Sequence, residues 1–146
     1  MAFSSQQGCV ARETLTVSDN SPSGLGLVGL KGSFHAFIPS KPYCADYLEE
    51  GLRIRSRATA LTRRHLQMNG PAAFQWMLHD IDRGGAALAH KDAYLPQPNI
   101  IAVNPENGHA HAAYLLERPV ARHSASRLAP LRFFAAVAWR WPPSRR

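Results

Sequence analysis

No aspartate or glutamate follows Glu117. The last fifth of the chain carries seven arginines instead: Arg118, Arg122, Arg127, Arg132, Arg140, Arg145 and Arg146. The first 117 residues hold ten Lys/Arg and ten Asp/Glu, so the whole excess behind the net charge of +7 sits at one end. Cysteine is scarce. Cys9 and Cys44 share no ligand or framework spacing, which excludes a disulfide scaffold and a cysteine zinc site and reads as free thiols in a reducing compartment. No apolar run approaches the roughly 20 residues of a membrane span. The start, MAFSSQQGCVARE, lacks the basic-then-apolar order of a secretory leader. The expected location is therefore cytoplasmic, with no membrane partner. Internal repeats are absent. The GLG of GLGLVGLKG lacks both the glycine spacing and the following lysine of a phosphate loop.

What remains is a chain of 146 residues, 45% hydrophobic and 18% charged, the make-up of one globular domain or a piece of one. A basic excess points to a polyanionic partner. Residues 1–40 are rich in Ser, Gly and Gln and read as a loosely ordered segment with one short strand around Ser33–Ile38. Ala45–Leu52 has the pattern of two helical turns ending near Gly51. Ile54, Ala58 and Leu61 then recur at helical spacing, with Arg53, Arg55, Arg57, Arg63 and Arg64 around them. Such a cluster either grips phosphates or forms a solvated helix face. His65–Met68 reads as a short strand before an Asn69-Gly70-Pro71 turn.

Phe74–Asp82 is short, apolar and aromatic, and stops at Arg83-Gly84-Gly85, the mark of a buried strand and its turn. Gly85–Leu95 is a loop or weak helix. Asn99–Val103 and His109–Leu116 flank NPENG and form a β-hairpin, with His109 and His111 on one face and Ala110, Ala112 and Tyr114 on the other. Pro119 is expected to break the second strand. Arg122–Trp139 is helical in pattern, with Pro130 in a first turn and Leu131, Phe134, Ala135 and Ala138 as its apolar stripe.

Two groups in this stretch carry chemistry. Asp80 and Asp82, one residue apart on a strand, share a face with their Cα atoms roughly 7 Å apart. That spacing lets two hard carboxylates reach one divalent ion, or a pair of ions, of the kind that activates a hydroxyl and neutralises a leaving pyrophosphate. The plain alternative is a strand that ends in water. His109 and His111 repeat the spacing one supersecondary unit later. Imidazoles so placed bind a metal, contact a triphosphate, or simply pack beside a sheet. His79 falls on the opposite strand face from the aspartates.

Taken in order, YCADYLEEGLRIRSRATAL, TRRHLQMN, WMLHDIDR and LPQPNIIAVNPENGHAHAAYLLERPV resemble the plasmid replicase family. These are replication initiators of colicin E type plasmids with primase activity, within the archaeo-eukaryotic primase superfamily. The most specific phrase is PNIIAVNPENGHAHAAY. The resemblance implies an α+β fold: a partial primase-like, RNA-recognition-like mixed sheet with flanking helices, incomplete at the C-terminus. It divides the chain into the loose segment 1–40, the N-terminal portion of a catalytic domain over 41–137, and an unrelated basic tail over 138–146. It implies primer synthesis on a DNA template from nucleoside triphosphates with Mg²⁺ or Mn²⁺. Asp80 and Asp82 match the family's paired metal ligands, and His111 the histidine that contacts the incoming nucleotide, with His109 a second candidate. Arg53, Arg55, Arg63 and Arg64 then face nucleic acid. A third acidic ligand on a later strand has no counterpart here, because the acids stop at Glu117. The chain thus reads as a truncated replicase, inactive alone. Two other readings stand beside it: a non-catalytic nucleic-acid-binding fragment, and a rolling-circle nickase using His109 and His111 for one metal and a tyrosine nucleophile, for which only Tyr114 follows the histidines.

Overall fold

The computed structural model describes residues 34–140 in full and, before them, the backbone of residues 9–11 and 15–16. Its elements, in order, are β1 (Cys9–Ala11), β2 (Leu15–Thr16), helix α1 at residues 34–37, β3 (Tyr43–Ala45), a 3-10 turn (Leu48–Glu50), β4 (Arg53–Ile54), α2 (Arg57–Ala60) and β5 (His65–Gln67). There follow β6 (Ala73–Ile81), a 3-10 turn (Ala86–Leu88) running into α3 (Ala89–Asp92), β7 (Ile100–Val103), β8 (Ala110–Ala121) and α4 (Leu128–Trp139). The fold is α+β. Its strands form two four-stranded antiparallel sheets, ordered β1-β5-β3-β4 and β2-β7-β8-β6. No helix among the described residues is long and apolar enough to cross a membrane.

The second sheet is built on β8, which lies between β6 and β7. Alternation along these strands gives it two different faces. On one face Ile81, Ile101, Ala110 and Ala112 pack beneath Ala86 and Ala89 of the 3-10 turn and α3. Alanine at 86, 89, 110 and 112 lets this short cover sit close. On the other face Trp76, Ile100 and Ala113 pack with Met68, and Phe34 of α1 closes over them. Phe34 also packs on the small sheet's own core of Ile38, Cys44, Ala60 and Leu66, and so belongs to both cores. Trp76 is the pin between the sheets. Its ring lies 6.1 Å from that of Phe34, and its indole N–H donates to the Phe37 carbonyl at 3.2 Å.

Asn69 shapes the entry to β6. Its buried side-chain oxygen accepts from the backbone N–H groups of Gln75 and Trp76, both at 2.9 Å, while its amide donates to the Trp76 carbonyl at 2.8 Å. A single side chain thereby satisfies backbone groups at the irregularity that separates Phe74 from Trp76 in the β6–β8 ladder.

Several local expectations are corrected. Within Ser33–Ile38, residues 34–37 are helical, not extended. Phe34 and Ile38, four apart, both reach core, which suits a helical turn, and Pro39 stops it. Helix over Ala45–Leu52 shrinks to the 3-10 turn Leu48–Glu50, because Ala45 is drawn into β3 opposite His65 and Gly51 turns the chain at φ 77°. Ile54 is not helical either. It pairs with Tyr43 in β4, and α2 begins only after Ser56, whose hydroxyl accepts from the Thr59 N–H. Pro119 does not break β8, which runs on to Ala121. The ladder skips from Leu115, opposite Trp76, to Val120, opposite Phe74. Pro119 lies in that gap, where no ladder donor is needed.

Candidate active site

Along β6 the face that begins with Trp76 and Leu78 continues to Asp80 and then Asp82. The first two lie within or against the core between the sheets; the last two extend past its edge. Their side chains are 56% and 69% exposed, so both carboxylates are open to solvent. The antiparallel register places His111 directly opposite Asp80, with Nδ1 3.3 Å from Oδ1. One step further out, just beyond the last paired residues, His109 Nδ1 lies 3.5 Å from Asp82 Oδ1. Equal spacing on two antiparallel strands has thus produced two Asp–His pairs, side by side on one face.

The row through Asp80 and His111 continues on β7 to Ala102, the partner of His111. Its methyl side chain leaves room that a larger residue would fill. Here a cleft of about 190 Å³ opens, lined by the four charged and imidazole side chains together with Ala102 and the turn residues Asn104 and Asn107. The turn is stiff. Asn104 N–H donates to the His109 carbonyl and Gly108 N–H to the Asn104 carbonyl, each at 2.8 Å. The side-chain oxygens of Asn104 and Asn107 accept from the N–H groups of Glu106 and His109, both at 2.9 Å. Gly108, at φ 71°, presses on the Gly84–Gly85 loop that follows Asp82: a Cβ there would meet Gly85 N at 3.3 Å and Gly84 Cα at 3.4 Å. The Gly108 carbonyl also accepts from Ala86 N–H at 3.2 Å. The loops after Asp82 and before His109 are therefore fastened to each other.

Behind the cleft, on the far face, His79 and Tyr114 meet edge to face with ring centroids 6.0 Å apart. Burial pushes the His79 imidazole down to about 4 and the Tyr114 phenol up to about 12, so both are neutral at physiological pH. The Tyr114 hydroxyl donates to the Pro96 carbonyl at 2.7 Å and points away from the histidine pair.

The sequence-predicted residues fall into two places. Asp80, Asp82, His109 and His111 come together. Arg53, Arg55 and Arg63 line a separate cleft of about 110 Å³ on the small sheet, and Arg64 extends over the Tyr47 ring, 5.9 Å from its centroid. Sequence reasoning missed Ala102, Asn104 and Asn107 as lining residues. The Asn-Pro-Glu-Asn-Gly composition signalled the turn, but no local signal tells that a turn borders a site.

The donor chemistry suits a hard divalent ion: two accessible carboxylates on one face, with space beside them for water and substrate oxygens. No three or more His, Cys, Asp or Glu residues converge as a complete metal cage among the described residues. The arrangement is an open, two-carboxylate platform.

The protein is thus an α+β domain with two aspartates and two facing histidines at one end of its larger sheet. The Replicase family model matches residues 37–141, well over half of the chain, and the protein belongs to that family of plasmid replicases. No curated protein and no solved structure matches it.

Proposed function

We propose that this chain carries the primase-type nucleotidyltransferase site of a plasmid replication initiator, making short primers on a DNA template from nucleoside triphosphates. The observation that supports the reading most is the pairing of two exposed aspartates with two histidines in one cleft, on the open end of an otherwise packed sheet face. In primer synthesis a hydroxyl oxygen bonds to the α-phosphorus, the bond to pyrophosphate breaks, and the hydroxyl proton leaves. Asp80 and Asp82 would hold Mg²⁺ or Mn²⁺, which supplies charge neutralisation for the triphosphate and the leaving pyrophosphate. His111 turns Nδ1 toward Asp80, which leaves Nε2 on the outer side of the ring for a phosphate oxygen. His109 stands in the same relation to Asp82 and gives the phosphates a second contact. The stiff Asn104–Gly108 turn holds the His109 backbone, and the aspartates meet both rings, so little order is lost when a nucleotide enters. With two acids where the resemblance implies three, turnover by the chain alone is low, whereas binding of metal and nucleotide does not require the third.

The nickase reading is weakened by Tyr114, whose hydroxyl is engaged with Pro96 on the opposite face. Primer formation on a single-stranded template with Mg²⁺ or Mn²⁺ is the direct test. Product is expected to disappear in Asp80→Ala and Asp82→Ala and to fall in His111→Ala. Primers made by Asp80→Ala at the wild-type rate would show that the metal site is misassigned.

A further inference from the structure

We infer that the cleft on the small sheet is a binding site for single-stranded DNA, physically separate from the Asp80–Asp82 cleft. The inference rests on the reading of the chain as a replication protein that works on a DNA template. Its basis is the sorting of the arginine cluster. Arg57 turns inward, its Nε donating to the Pro39 carbonyl at 3.4 Å. Arg63 is tied to Asp46 at 2.6 Å, and Asp46 also accepts from the Arg64 N–H at 3.2 Å. These contacts hold the Asp46 carboxyl below its usual range, the Arg63 side-chain bond contributing most. Its charge is thereby answered from within the cleft.

Arg53 and Arg55 differ. Arg53 lies on β4, the edge strand of the small sheet, and Arg55 just past its end, and both line the cleft. Both are exposed, and neither has a carboxylate partner among the described residues. The lining includes two acids, Asp46 and Glu50, against three arginines. With Asp46 engaged by Arg63, the free balance favours an anion. Arginines on an edge strand also guard against edge-to-edge pairing. Guarding does not require two guanidiniums to share one cleft with a third, nor an exposed aromatic at its rim. Tyr47 is that aromatic, 55% exposed, with Arg64 over its ring. Paired guanidiniums for phosphates beside a flat aromatic surface for an unstacked base are what a single strand needs.

The test uses the whole chain, a fluorescent oligothymidylate and anisotropy in EDTA, so that no metal takes part. The double variant Arg53→Ala/Arg55→Ala is expected to bind about tenfold more weakly. It should also lower the slope of log affinity against log salt by about 1.4, since each of the two arginines answers one phosphate and each phosphate accounts for about 0.7 of the slope. Tyr47→Ala should bind about tenfold more weakly with the slope unchanged. Both changes are on the surface, and the charge-reversed Arg53→Glu/Arg55→Glu pair extends the series. Unchanged affinity and slope in both arginine pairs overturn the inference. So does unchanged oligonucleotide binding with altered self-association, which would make β4 a protein-pairing edge. Mn²⁺ binding measured on the same variants separates the two sites. It stays intact if only the strand cleft is disabled, and a failure of the Asp80–Asp82 assignment leaves the EDTA result untouched.

Discussion

Acid should weaken this protein in a way that can be traced to one residue. His79 is buried on the packed face of the larger sheet, against Tyr114, and its imidazole is held down to about 4 from an ordinary 6.5. The folded form is therefore neutral at a pH where the unfolded chain already binds a proton. The unfolded state binds more protons throughout the window from 6.5 down to about 4, so stability rises with pH there and is lost as pH falls. Near the middle of that window the slope approaches about 1.4 kcal/mol per pH unit. Between about pH 7.5 and about pH 4.5 the accumulated loss is about 2.5 kcal/mol, a large share of the roughly 5–15 kcal/mol that holds a small domain together. Urea denaturation of the wild type and of His79→Leu across this range isolates the effect, because leucine is close in size and does not titrate. The gap between the two should shift in favour of the variant by about 2.5 kcal/mol on acidification. A gap that stays constant between those pH values would refute the argument that burial keeps His79 neutral.

Further outcomes follow from single contacts. Asn69→Ala strands two backbone N–H groups and one carbonyl in a buried place and should cost about 3 kcal/mol or more in urea denaturation, far beyond an ordinary turn substitution. Gly108→Ala places a Cβ at a left-handed φ of 71° and against the Gly84–Gly85 backbone, so it should destabilise by about 1–2 kcal/mol. Because the loops on both sides of the cleft meet there, nucleotide binding should weaken in the same variant.

Much of the larger sheet was legible because its strands are encoded locally. Phe74–Asp82 and the hairpin across NPENG have the right length, alternation and turn chemistry, and the structure agrees to within a residue or two at most ends. The opposite faces of His79 and of the aspartates follow from alternation alone. The errors lie where a distant partner decides. β4 exists because Tyr43 pairs with Ile54, a relation that no helical periodicity reveals. β8 passes through Pro119 because Phe74 and Val120 resume pairing beyond it. Asn69 looked like a turn residue, and its hold on Gln75 and Trp76 depends on an irregularity in β6 that has no sequence signature. In the site, the residue types were visible but the strand register was not. Reading the acids and imidazoles as two separate sets missed that each histidine faces one aspartate.

The central claim is that Asp80 and Asp82 form a divalent-metal platform. Mn²⁺ binding to the whole chain, followed by the loss of the free-ion EPR signal on titration, tests it without depending on turnover. Wild type should take up Mn²⁺, Mg²⁺ should compete for the same site, and the isosteric Asp80→Asn/Asp82→Asn pair should weaken uptake by at least about tenfold, since both hard anionic ligands are removed. Equal Mn²⁺ affinity in the wild type and in the doubly neutralised variant, with both folded, would contradict it.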